Sequence, residues 1–255
     1  MAALPLRETA REIRRRLVAD ERDLTVGGDG DLEYWSRVAA QSDGSIVEIG
    51  CGAGRILLSL NAAKRSLIGI DLDREALSLA AERDARPVWE CADGRRWRDT
   101  SVSASLVILG GDLISVITRE ADLRELFLTA AVHCATDGQV GIDATRIDPQ
   151  RLAEHLNGTW ALDLEREDEE FGVVQRYSRL SADARLGSNV AALEIRHLAV
   201  APGRTPTPLY PDRAPFPIRA WRSEEIRSIA EAAGLELVRV EADDRLRWLL
   251  RSTHE

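Results

Sequence analysis

Apolar residues recur along this chain in two rhythms. Short runs rich in Val, Ile and Leu at 45–49, 66–70, 87–91, 105–110 and 139–143 alternate with stretches whose apolar positions return every three or four residues. The first rhythm predicts strands buried on both faces, the second the helices that cover them. Helices are predicted to begin near Arg55, Asp73 and Ala121. In the last of these, Leu123, Leu126, Phe127, Ala130 and Cys134 keep the helical period as far as Ala135. Asp73, followed by Glu75, reads as a helix N-cap. Five such units in a row predict an α/β fold with a doubly wound parallel sheet.

Ahead of them, residues 7–19 place Ala10, Ile13 and Leu17 at helical spacing, and a second helix over 31–40 carries Tyr34 and Trp35 as core residues. After Asp143 the rhythm changes to a short helix over 149–157 and strands over 159–167, 172–181 and 190–201. In the last strand Leu193, Ile195, His197 and Ala199 alternate with Glu194 and Arg196. Six of the nine prolines then fall between Pro202 and Pro217, too dense for a central strand. The α/β rhythm resumes with Ser223 as N-cap, Glu224 and Glu225 in the first turn, and Ile226, Ile229, Ala230 and Ala233 on one face. Gly234 stops this helix, and strands over 235–241 and 245–252 close the chain. The expected organisation is an N-terminal helical lid (1–40), a ligand-binding domain built from 41–145 and 218–255, and an inserted antiparallel β cap (146–217).

Composition narrows the class. At 255 residues, 44% hydrophobic and 30% charged, the chain fits one large soluble α/β domain with an added subdomain. No apolar run approaches the length of a membrane span, and the N-terminus lacks the apolar core of a secretory signal. Glu8 and Glu12 interrupt the Arg-rich residues 7–16, against a transit peptide, so a cytoplasmic location is expected. Cys51, Cys91 and Cys134 show neither Cys-x-x-Cys nor Cys/His spacing, which predicts small buried residues rather than a zinc site or a disulfide framework. A net charge of −9 speaks against extended contact with nucleic acid.

The chemistry concentrates where the first strand ends. Glu48-x-Gly50-x-Gly52-x-Gly54 is followed by a helix from Arg55 and a second strand ending in Asp71. Alternate glycines let the backbone turn sharply and let a ligand approach the main chain. The dinucleotide fingerprint needs a third glycine at the place of Arg55, and a phosphate-binding loop needs Gly-Lys-Ser/Thr; neither is present. The pattern instead resembles the first motif of the class I S-adenosylmethionine-dependent methyltransferases. The resemblance covers roughly residues 31–145 and 218–252. It implies a doubly wound seven-stranded Rossmann-like sheet of order 3-2-1-4-5-7-6, with the last strand antiparallel and the cap inserted after the fifth. It also implies S-adenosylmethionine as cofactor, with Glu48 near the methionine ammonium and Gly50, Cys51, Gly52 and Gly54 beside the methionine and sugar. Asp71 would lie on the ribose hydroxyls with Leu72 following, and Ala92, Asp93 and Gly94 around the adenine. A carboxylate accepts hydrogen bonds from both hydroxyls of a diol, which supports the place of Asp71 independently.

Leu109, Gly110 and Asp112 end the fourth strand, and the resemblance places this segment beneath the transferred methyl group. The Asn/Asp-Pro-Pro-Tyr pattern of amino and nucleic-acid base methyltransferases is missing here, as is the paired-glutamate loop of protein arginine methyltransferases, which leaves a small-molecule acceptor. Methyl transfer to an oxygen benefits from a base, whereas an amine needs only to be neutral. Asp112 and, among His133, His155, His197 and His254, the cap residue His197 are the catalytic candidates. Asp112 and Asp143 end neighbouring strands, but the Asp-Asn pair of metal-dependent catechol-type enzymes is missing at Asp143-Ala144, so no metal is expected. The leading expectation is metal-free methyl transfer to N or O of a specialised metabolite. Two others stand beside it: a cofactor-binding enzyme with different chemistry, such as aminocarboxypropyl transfer, and an interaction protein whose inserted sheet forms a homodimer surface.

Overall fold

The computed structural model describes residues 13, 17, 29–60, 65–145, 152, 156–182, 189–212, 214–242 and 245–253. Most of the helices expected over 7–19 and 149–157 lies outside these residues, as do His155 and His254. The described residues fall into two compact units, one drawn from 26–149 and 219–255, the other from 1–25 and 150–218.

The larger unit opens with α1 (Asp29–Ala39), β1 (Ser45–Ile49), α2 (Arg55–Ser59), β2 (Leu67–Asp71), α3 (Arg74–Arg83) and β3 (Val88–Cys91). It continues with β4 (Ala104–Leu109), α4 (Leu113–Val116), α5 (Glu120–His133) and β5 (Cys134–Thr145). The smaller unit holds β6 (Ala161–Asp168), β7 (Gly172–Ala182), β8 (Val190–Val200), β9 (Thr207–Pro208) and all but the last residue of β10 (Phe216–Arg219). The chain then returns through α6 (Ser223–Ala232), β11 (Leu235–Ala242) and β12 (Arg245–Ser252).

One seven-stranded sheet runs in the order β11-β12-β5-β4-β1-β2-β3. The pairs among β1 to β5 are parallel, and β12 lies antiparallel between β5 and β11. This is the doubly wound order that the resemblance implies; the crossovers return the chain to the same end of the sheet, through helices everywhere but between β3 and β4. Val47, Ile49, Ile70, Val107, Leu109, Val140 and Ile142 pack on one face with α5 and α6. Ile46, Leu106, Ile108 and Leu249 pack on the other with α1 and α2, where Tyr34 and Trp35 are core residues.

Three local expectations are corrected. β3 is an edge strand, not one buried on both faces, and Val88 is 55% exposed. α5 stops at His133, because Cys134 already pairs with Ala104 as the first residue of β5; strand pairing overrides the helical period there. Ser223 is the first helical residue of α6 and not its cap, since the Glu225 carboxylate accepts the Arg222 backbone N–H at 2.9 Å. The Asp73 cap does form, its carboxylate accepting from the N–H groups of Glu75 and Ala76.

The smaller unit is an antiparallel sheet in the order β10-β8-β7-β6, with β9 paired to β8. Pro217 sits in β10, at the sheet edge, the place to which strand prolines are confined. Ile13, Leu17, Val174 and Tyr210 form its buried cluster.

Candidate active site

Five strands of the larger unit deliver their ends to one region. Beyond β1, Gly50, Gly52 and Gly54 all take positive φ (76°, 54° and 80°), a conformation strained for any residue with a Cβ. The turn is also tight: a Cβ on Gly50 would lie 2.6 Å from Leu113 Cδ1, and one on Gly54 2.7 Å from Trp89. Gly50 and Cys51 donate their backbone N–H groups to Ile70 O, which ties the turn to β2. Cys51 is buried, and burial pushes its thiol far up, so it stays protonated.

Asp71 locks this turn from the end of β2. Its Oδ2 accepts the Gly52 N–H at 2.8 Å and its Oδ1 accepts the Asp73 N–H at 2.8 Å. Each oxygen keeps a second lone pair for an outside donor. Leu72, the next residue, is 67% exposed. From the end of β3, Ala92 donates its N–H to Asp71 O, and Gly94 lies so close to Ile49 that a Cβ would fall 2.2 Å from Ile49 Cγ2. Asp93 pairs with Arg95, Nη2 to Oδ2 at 2.7 Å, and that guanidinium holds its carboxyl below the usual carboxylate range. Glu48, 3% exposed in the middle of a hydrophobic strand, accepts the Leu57 N–H at 3.0 Å.

Leu109 is fully buried, and a Cβ on Gly110 would lie 2.5 Å from Ile56 Cδ1, so backbone alone fills the β4 exit. The Asp112 carboxylate beyond it accepts the Thr145 N–H and, at 3.1 Å, the Thr145 hydroxyl. Asp143 is wholly buried, and burial pushes its carboxyl up against the pull of Arg245, whose Nε donates to Oδ1 at 2.6 Å. Arg245 Nη2 also lies 3.5 Å from Asp112 Oδ1. The cation between these two carboxylates is therefore a guanidinium, and among the described residues no group of three His, Cys, Asp or Glu is arranged to hold a metal ion.

The structure thus gathers Glu48, the glycine turn, Asp71, Leu72, Ala92–Gly94, Leu109, Gly110 and Asp112 in one unit. His197 belongs to the other, where it is 1% exposed and its Nδ1 faces the Tyr210 hydroxyl. Sequence reading missed Leu113 and Trp89, which close the glycine turn, and Arg55, which pairs with buried Asp31 of α1 at 3.0 Å. It also missed Arg245, which is 102 residues from its partner Asp143 and so carries no local signal.

Residues 46–138 match the sequence model of the methyltransferase domain. With the sheet order and the glycine turn, this match supports the class I S-adenosylmethionine-dependent methyltransferase family, whose members are enzymes that take S-adenosylmethionine as cofactor. No curated protein sequence matches it. Among solved structures, an S-adenosylmethionine-dependent methyltransferase from Clostridium acetobutylicum ATCC 824 is 17% identical over 94% of this chain and 99% of that one, with a TM-score of 0.74. The sugar N-methyltransferase KedS8 from Streptoalloteichus sp ATCC 53650 is 17% identical over 100% and 96%, at 0.71. CalS10, an amino pentose methyltransferase from Micromonospora echinaspora involved in calicheamicin biosynthesis, is 21% identical over 99% and 100%, at 0.69. These likenesses extend over both units and show a shared fold. No described helix is long and apolar enough to cross a membrane.

Proposed function

We propose that this enzyme methylates a nitrogen on a small specialised metabolite, an amino sugar or a close relative of one, without a metal ion. The observation that carries the reading is the Asp112 carboxylate, 28% exposed, held by Thr145 just beyond the glycine exit of β4. A carboxylate there accepts a hydrogen bond from an amine N–H and turns the nitrogen lone pair the other way. The likeness to a sugar N-methyltransferase and an amino pentose methyltransferase supports the acceptor class.

The residues present fit the cofactor. Gly50, Gly52 and Gly54 form a positive-φ turn of bare backbone that a ligand can approach, Asp71 retains acceptor capacity for two ribose hydroxyls, and exposed Leu72 would offer an apolar face to adenine, as would Ala92 and Gly94. Asp93 would accept from the adenine amino group, sharing its carboxylate with Arg95. Glu48 would supply negative charge for the methionine ammonium, and Leu109 and Gly110 would line the methionine end. When bound, S-adenosylmethionine supplies a methyl carbon already activated by a positive sulfur. The protein then has to align the acceptor lone pair and exclude water. Asp112 performs the first task. The residues of the smaller unit, 150–218, are assigned the role of an acceptor cap, with His197 as a cap residue.

Methyl transfer from S-adenosylmethionine to free and nucleotide-linked amino hexoses and amino pentoses, followed by mass spectrometry, tests this reading. The expected products are an N-methylated sugar and S-adenosylhomocysteine. Methylthioadenosine in place of S-adenosylhomocysteine would point to aminocarboxypropyl transfer instead. If neither S-adenosylmethionine nor S-adenosylhomocysteine binds micromolar protein in calorimetry, the cofactor assignments fail.

A further inference from the structure

Three strand ends meet at Asp112. Its own backbone is left-handed (φ 64°), as is that of Gly111 before it (φ 59°), and Asp112 is the one non-glycine residue with positive φ among the described residues. Such a conformation persists only where surrounding contacts over-determine it. Here the Thr145 N–H and hydroxyl bind the carboxylate from the end of β5, and the Asp112 N–H donates to Asp143 O at 3.3 Å. Arg245 reaches the same point from β12. Its Nε donates to Asp143 Oδ1 at 2.6 Å, its Nη1 to the Thr145 hydroxyl at 3.1 Å, and its Nη2 lies 3.5 Å from Asp112 Oδ1. Register explains the approach: Arg245 is paired with Thr145 and Arg247 with Asp143 across antiparallel strands. A guanidinium carries its donors in a rigid planar fork, so this one side chain sets the relative places of the β4 exit, the end of β5 and the Asp112 carboxylate.

We propose that Arg245 is a positioning residue for methyl transfer, acting through Asp112 by fixing the direction in which that carboxylate meets the acceptor nitrogen. The inference rests on the reading of Asp112 given above and names what holds it. Arg245 is the nearer of two cations at buried Asp143, Arg247 Nε lying 3.7 Å from the same oxygen, so the single replacement Arg245→Met weakens the charge balance there and destabilises the fold. The paired variant Arg245→Met/Asp143→Asn removes both charges of the closer pair, and Tm reports any cost of taking the Asp143 charge from Arg247.

The experiment measures kcat and KM for an amino sugar that the wild type methylates, the calorimetric Kd for S-adenosylhomocysteine, and Tm. The paired variant is expected to fold, to bind S-adenosylhomocysteine within about twofold of the wild type, and to lose at least about tenfold in kcat, the order of effect that small misplacements produce. Asp112→Asn alone should lose a similar factor, and adding it to the paired variant should cost nothing more, because residues acting in series are not additive. Arg245→Lys, a point charge without the fork, should recover little. Multiplicative losses, an unchanged kcat, full recovery by lysine, or a loss of S-adenosylhomocysteine affinity equal to the loss in kcat would each overturn the proposal. A wild type that binds S-adenosylhomocysteine but methylates no amino sugar removes the acceptor reading, and the proposal with it.

Discussion

Asp71 serves the fold before it meets any ligand. Its two oxygens hold the Gly52 and Asp73 N–H groups, so the carboxylate shapes the glycine turn as well as facing the region beyond it. Replacing it with alanine leaves those donors without their partner and removes the acceptor offered to a ribose. The Asp71→Ala variant should bind S-adenosylhomocysteine more weakly by roughly 1–3 kcal/mol, the usual range for a lost buried hydrogen-bond partner. Calorimetry checks this, and wild-type affinity in the variant would refute the ribose assignment. The place of Asp71 was legible because an acidic residue ends an apolar run. Its grip on Gly52 was not, since nothing local says which backbone a strand-end carboxylate will meet.

At the scale of the element, α5 is joined to the loop before β4 by His133. Its Nδ1 lies 2.8 Å from Thr129 O, its Nε2 accepts the Asp99 N–H at 3.0 Å, and its ring stacks on Trp97 at 4.0 Å between centroids. This pattern requires the neutral ring with hydrogen on Nδ1. Burial, the largest influence, accordingly pushes the imidazole pKa below its ordinary 6.5. The unfolded chain takes up a proton at a higher pH than the folded one does. The stabilisation is therefore complete above the unfolded value, about 6.5, and is lost as pH falls through the lower folded value. Urea midpoints measured from about pH 7.5 down to about pH 5 should show wild type and His133→Gln converging as the pH drops. A constant gap would mean that protonation of His133 plays no part. The helix itself was readable from Leu123, Leu126, Phe127 and Ala130; its end was not, because Cys134 is claimed by a strand partner thirty residues earlier in the chain, Ala104.

At the scale of the molecule, the residues assigned to the cofactor all belong to the unit drawn from 26–149 and 219–255. The other unit contributes none of them. Substituting a residue of its sheet, such as Tyr177, whose hydroxyl donates to Gln175 at 3.0 Å, should therefore reduce turnover several-fold while S-adenosylhomocysteine affinity stays within about twofold. Kinetics and calorimetry on Tyr177→Ala separate the two. A variant that loses cofactor affinity while keeping a normal acceptor KM would show that this sheet belongs to the cofactor site.

The sequence by itself determined the succession of strands and helices, the sheet class, the glycine turn and the acids at the ends of β2 and β3. All of these depend on residues close together in the chain, where hydrophobic period, capping and glycine conformation act directly. Tertiary structure alone decided that Trp89 and Leu113 close the glycine turn and that Arg245 joins Asp143 to Asp112. Such pairings bring together residues from a few tens to more than a hundred positions apart, and no local preference encodes them. They arise only when the strands find their order and the buried charges need partners.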